Sequence, residues 1–121
     1  MLPAPNRLRE RSDFASAVRG PGSTRAGSRL LVVHAHRTDA RAGCPPRVGF
    51  VVSRAVGGAV VRNRTKRRLR ALVAQRLAVV PGGVDLVVRA NPPAGAASSG
   101  ELAASLDALW HKVLGRLGGV A

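Results

Sequence analysis

Between residues 59 and 79 the sequence AVVRNRTKRRLRALVAQRLAV shows two unlike flanks when wound at about 100° per residue. Val61, Thr65, Leu69, Leu72, Val73 and Leu77 fall on one stripe, and Asn63, Arg64, Arg67, Arg68, Arg70 and Ala71 on the opposite one. Arg62 and Lys66 lie at the border of the apolar stripe, where they reach past a packed face. The spacing predicts a helix over 59–79 that packs by one side and carries a rail of guanidinium groups on the other. Gly57-Gly58 ahead of it permits a sharp turn and leaves N–H groups that attract phosphate, and Pro81-Gly82-Gly83 ends it.

The rest of the pattern supplies what this helix packs on. Residues 29–36 (RLLVVHAH) alternate as a strand, with Leu30, Val32, His34 and His36 on one face and Leu31, Val33 and Ala35 on the other. Part of 23–27 can pair beside it. Residues 47–53 (RVGFVVS) and 84–90 (VDLVVRA) read as two more strands, Gly49 marking a close backbone approach or a bulge. Ser12 can cap a short helix over 13–19 with Phe14, Ala17 and Val18 on one face. Ser99 can cap a last helix with Leu102, Leu106, Leu109, Trp110, Val113 and Leu117 inward, closed by Gly118-Gly119. Residues 38–46 are a polar, Pro-rich turn and 91–100 a small-residue loop. A strand, a long helix and a strand in succession demand a parallel pairing or a crossover. The expected class is therefore α+β, with helices covering one face of a small mixed sheet. One domain spans residues 1–121, in which 1–11 is expected to be a flexible basic tail that follows a phosphate backbone.

Charge changes the picture from fold to partner. The 121 residues carry a formal net charge of +14, and nearly all of it is arginine, since Lys66 and Lys112 are the only lysines. No Asp or Glu lies between Asp39 and Asp85, so nothing nearby in sequence neutralises the rail. Like charges at i,i+4 repel, and their accumulation without acid partners points to an external polyanion. Arginine favours nucleic acid over a membrane, because its planar fork matches phosphate and stacks on bases, while the apolar face is needed for the core. From Asp85 onward Arg89, Lys112 and Arg116 are balanced by Asp85, Glu101 and Asp107, which marks the last third as scaffold. A single Cys44 excludes a disulfide within the chain. With no apolar run of membrane-spanning length and no secretory signal at the start, a cytoplasmic location is expected. The carboxylates Glu10, Asp13, Asp39, Asp85, Glu101 and Asp107 have no paired spacing, and His34, His36 and His111 have no metal-ligand motif around them. Any chemistry therefore belongs to a partner. Composition alone leaves open a ribosomal-type RNA-binding protein, an RNA chaperone, or a helix that enters a DNA major groove.

The ordered motifs narrow this. RLRERSDF near the start, RVGFVVS, VGGAVVRNRTKRRLR, VDLVVRANPPA and the final LDALWHKV together resemble the protein subunit of bacterial ribonuclease P, over residues 7–113. The resemblance implies a four-stranded sheet with three helices and a left-handed βαβ crossover through the basic helix, against the generic right-handed preference. It implies an endoribonuclease particle in which a catalytic RNA subunit, with magnesium bound mainly by that RNA and none by the protein alone, removes the 5′ leader of precursor tRNA. No residue of this chain is then catalytic. The resemblance assigns binding of the catalytic RNA to Arg62, Asn63, Arg64, Lys66, Arg67, Arg68 and Arg70. It assigns the leader to a cleft between sheet, first helix and long helix, with Phe14, Val18, His34, Arg54, Arg62, Lys66 and Arg89 as its residues. Four of these have a plainer reading: Phe14 pins its helix to the sheet, His34 is a structural strand residue, Arg54 is an exposed strand-end charge and Arg89 braces a helix end. Trp110 is a core residue.

Overall fold

The computed structural model describes residues 2, 4–20, 22–37, 41 and 43–117. In chain order it contains α1 (Arg11–Arg19), β1 (Thr24–Gly27), β2 (Leu31–Arg37), β3 (Arg47–Val51), α2 (Ala59–Ala74), β4 (Val84–Ala90) and α3 (Ser99–Arg116). The sheet order is β1-β2-β4-β3, antiparallel except for the parallel pair β3–β4 that α2 connects. This is the α+β class expected, with three α-helices and four strands.

Side chains alternate across the sheet as strand geometry requires. Leu31, Val33, Val48, Leu86 and Val88 join Leu69 and Val73 of α2 and Leu102, Leu106, Leu109 and Val113 of α3 in the main core. Trp110 is buried there too. Val87 points to the other face and clusters with Leu8 and Ala17, flanked by Phe14, Val18 and Val51. The expectation that the helices share one face is thus corrected: α1 lies on the face opposite α2 and α3. The cause is the two-sided apolarity of β4, whose Val84, Leu86 and Val88 serve one layer while Val87 serves the other.

Several boundaries move, each for a local chemical reason. The basic helix stops at Ala74 instead of continuing to 79, because the Arg76 guanidinium turns back to donate to the Leu72 carbonyl at 2.7 Å and also bonds Asp107. Leu77–Val79 forms a separate 3-10 turn. β2 starts at Leu31, since the Ser28 hydroxyl accepts the Leu30 and Leu31 N–H groups at 3.2 Å and holds a bend there. β3 ends at Val51. Ser98, not Ser99, caps α3: its hydroxyl accepts from Glu101 N–H at 3.1 Å while the Glu101 carboxylate accepts from Ser98 N–H at 2.9 Å, a capping box. Ser12 does not cap α1, which begins at Arg11 behind Glu10 with no side-chain cap. Gly118 and Gly119 lie outside the described residues.

Within residues 1–11, Asn6–Leu8 lie along the outer edge of β3. Arg7 bridges Val48 in parallel, Leu8 N–H donates to the Val48 carbonyl at 3.1 Å, and Asn6 Nδ2 donates to the Pro46 carbonyl at 2.8 Å. Leu2 is 3% exposed within the core, and Arg7 Nε donates to its carbonyl at 2.8 Å. Among the described residues no helix is long and apolar enough to cross a membrane.

Candidate nucleic-acid interface

α2 is held to the body by Thr65, Leu69 and Val73, which are buried, so its other flank has to face outward. Asn63 and Arg67 are exposed, whereas Arg62, Arg64, Lys66, Arg68 and Arg70 are half-buried. The ion pairs among the described residues are Arg41–Asp85, Arg47–Asp13, Arg47–Asp85 and Arg76–Asp107, so no carboxylate there masks a cation of 62–70.

The rail is not uniform. Arg64 Nη2 donates to the Gly95 carbonyl at 3.0 Å and Arg68 Nη1 to the Ala97 carbonyl at 3.0 Å, so two of the seven expected RNA-binding positions also staple α2 to the segment before α3. Gly95 is required there, because a Cβ would come within 2.6 Å of the Val56 carbonyl oxygen and 3.0 Å of Val61. On the other side, Lys66 and Arg70 line a groove with Asn63, Arg67 and Val60, and Val60 is 79% exposed. The Nε atoms of Arg62 and Arg64 are buried without a protein acceptor. Gly58 precedes the helix with no side-chain cap, so the first-turn N–H groups have no side-chain acceptor. That end of the helix favours an anion.

Lys66 and Arg70 also line a cleft of about 360 Å³ at the β3 edge. Arg7 and Arg9 from the N-terminal stretch line it as well, and its apolar lining includes Val48, Gly49 and Phe50, with the Phe14 ring against Gly49. The tip of the Phe14 ring occupies the space that a side chain on Gly49 would need. Gly49 therefore marks a close approach, and no bulge interrupts its pairing with Val87. An apolar lining with an aromatic ring and cationic side chains suits a nucleotide, whose base stacks while its phosphate is neutralised.

The remaining candidates stand elsewhere. Val18 packs in the small cluster under α1. His34, opposite Val87, is buried on the same face; its Nδ1 lacks a partner, and burial, then Arg89 and Arg25, push its pKa below the ordinary 6.5. Arg89 is exposed near the end of β4, and Arg54 is exposed in the 3-10 turn Arg54–Val56. None of these four lines the cleft that Phe14, Lys66 and Arg70 share. Arg7 and Arg9 belong to the stretch expected to follow a phosphate backbone as a tail, whereas Phe50 and Val60 carry no such expectation. The Arg-Leu-Arg alternation of residues 7–9 is the signal that could have pointed to an edge strand with two outward cations. Among the described residues no group of three or more His, Cys, Asp or Glu side chains could hold a metal ion.

The balance of the last third is arithmetic rather than spatial. Asp85 pairs with Arg41 and Arg47, Asp107 with Arg76, and Glu101 caps α3, so Arg89 and Lys112 pair with none of them.

The family described as Ribonuclease P matches residues 2–114 of this chain. The Ribonuclease P protein component of Streptomyces bikiniensis is 56% identical over 121 residues, covering 95% of this chain and 97% of its own. That of Beutenbergia cavernae is 57% identical over 107 residues, covering 88% of this chain and 87% of its own. Among solved structures, the RNase P protein of Staphylococcus aureus has the same fold, with a TM-score of 0.76 at 24% identity over 90% of this chain and 97% of that one. The RNase P protein of Thermotoga maritima gives 0.70 at 25% identity over 87% and 96%.

Proposed function

This chain belongs to the ribonuclease P protein family, and from that premise we propose that α2 binds the particle's catalytic RNA while the adjoining cleft holds the 5′ leader of precursor tRNA. Hydrolysis itself belongs to the RNA subunit and the magnesium it holds. The protein's part is electrostatic and geometric. Arg62, Asn63, Lys66, Arg67 and Arg70 neutralise and orient ribose-phosphate, and Arg64 and Arg68 add charge from fixed positions. Phe14 offers a ring to an unpaired leader base. Lys66 and Arg70 line both the groove and the cleft, which makes them the junction between the two RNAs. Arg54 and Arg89 extend the leader path outside the cleft, and Val18 and His34 support it from the packed face under α1. The particle acts in the cytoplasm.

The observation that carries this reading is the cationic flank from Arg62 to Arg70, free of carboxylates among the described residues, beside a cleft with an aromatic wall. Cations between two polyanions reduce their repulsion and release counterions, so the protein should lower the magnesium needed for cleavage. In a reconstituted particle, changing Arg62, Arg67 and Arg70 together to Ala should leave cleavage at saturating magnesium and depress it severely at limiting magnesium. Unchanged cleavage at low magnesium would contradict the proposal.

A further inference from the structure

The best-connected cation in the molecule is outside the RNA-facing rail. Arg47, the first residue of β3, donates from Nε and Nη2 to the two oxygens of Asp85 at 2.9 and 2.7 Å, and from Nη1 to Asp13 at 3.0 Å. The Asp85 side chain is 4% exposed and receives a further bond from Arg41 Nη1 at 2.9 Å. Hydrogen bonding to Asp85, ahead of that to Asp13, holds the Arg47 guanidinium above its ordinary pKa. Three of its five N–H donors are thus committed to carboxylates within the fold.

Asp13 sits in the first turn of α1, directly before Phe14. α1 has only nine residues and no side-chain cap, so its placement depends on tertiary anchors rather than on its own stability. Ala17 and the Phe14 ring anchor it by packing, and the Asp13–Arg47 pair is the directional bond that fixes its start. Through Asp85 that bond is referred to β4, the strand carrying Val87 beneath α1.

We propose that Arg47 is a positioning residue: by bridging Asp13 to Asp85 it sets α1 so that Phe14 stands over Gly49 as the wall of the leader cleft. This rests on the reading of that cleft as the leader site. Asp13→Asn is the informative change, because it removes the ion pair from the link to α1, leaving at most a neutral amide acceptor, and leaves Asp85 with both arginines. In the free full-length chain, NOEs between the Phe14 ring and Gly49 Hα should weaken in Asp13→Asn. In the reconstituted particle, affinity for a precursor with a long leader should fall by roughly fivefold, the scale of one partly exposed ion pair. Affinity for a precursor with a one-nucleotide leader should stay as it is. Equal loss on both substrates, or intact NOEs and intact long-leader binding, would overturn the positioning role. Phe14→Ala separates the two ideas. If it loses long-leader affinity while Asp13→Asn does not, the cleft reading survives and the Arg47 role fails; if Phe14→Ala has no leader-dependent effect, both fall.

Discussion

Burial decides the protonation of His34. Its ring lies beneath α1 with Nδ1 unpartnered, opposite Arg25 across the β1–β2 pair and near Arg89, an environment that accommodates the neutral form and resists a proton. The unfolded chain keeps the ordinary pKa of 6.5, while the folded value is lower. Below that pH the unfolded state therefore binds the proton first, and stability falls as pH decreases until the folded pKa is passed. The slope dies away about one pH unit above 6.5, where the ring is neutral in both states. Urea unfolding at about pH 7.5 and about pH 5.5 should show a larger acid loss for the natural protein than for His34→Gln. Equal losses would mean that the ring is hydrated in the folded state. The alternation of residues 29–36 already put His34 on the face away from Leu31 and Val33. Only the location of α1 on that face makes the position a buried one, and no local pattern carries that information. Gly49 is a parallel case: its tight approach was legible, but the ring that fills it comes from a distant segment.

At the scale of elements, β4 and the core stripes of α2 and α3 were legible because period 2 and period 3.6 directly record which side is buried. The ends were not, since they depend on side-chain bonds such as Arg76 to the Leu72 carbonyl and Ser98 with Glu101. The polar flank of α2 shows a further limit. In the sequence its arginines look equivalent, yet Arg68 is bonded to the Ala97 carbonyl and Arg67 is exposed. Removing Arg68 leaves a carbonyl at a buried residue without that charged donor, so Arg68→Ala should cost about 1 kcal/mol of stability. Arg67→Ala should stay within about 0.5 kcal/mol of the natural protein. Urea midpoints of the two variants test this, and equal destabilisation would show that the Arg68 bond adds nothing to the fold. The distinction matters for function, because a weakened RNA affinity in Arg68→Ala combines lost charge with a loosened helix, whereas that in Arg67→Ala reports charge alone.

For the molecule as a whole, the formal charge of +14 overstates what an RNA meets. Arg41 and Arg47 are bound to Asp85, and Arg76 to Asp107, whose carboxylate is held below its usual range by that hydrogen bond. Conversely, Arg7 and Arg9 of the N-terminal stretch join Lys66 and Arg70 of α2 around one cleft. On the proposed reading the effective interface is a selection of the chain's cations made by topology. Counterion release can read that selection, because the slope of log K against log salt counts only cations that neutralise phosphate, at about 0.7 to 0.9 each. With the catalytic RNA as ligand, Arg70→Gln should reduce the slope by roughly that amount. Arg76→Gln removes the same formal charge from a residue already paired, and should leave the slope unchanged while freeing Asp107. If the two substitutions lower the slope equally, RNA binding responds to net charge rather than to the flank that α2 presents, and the interface has to be sought elsewhere on the surface.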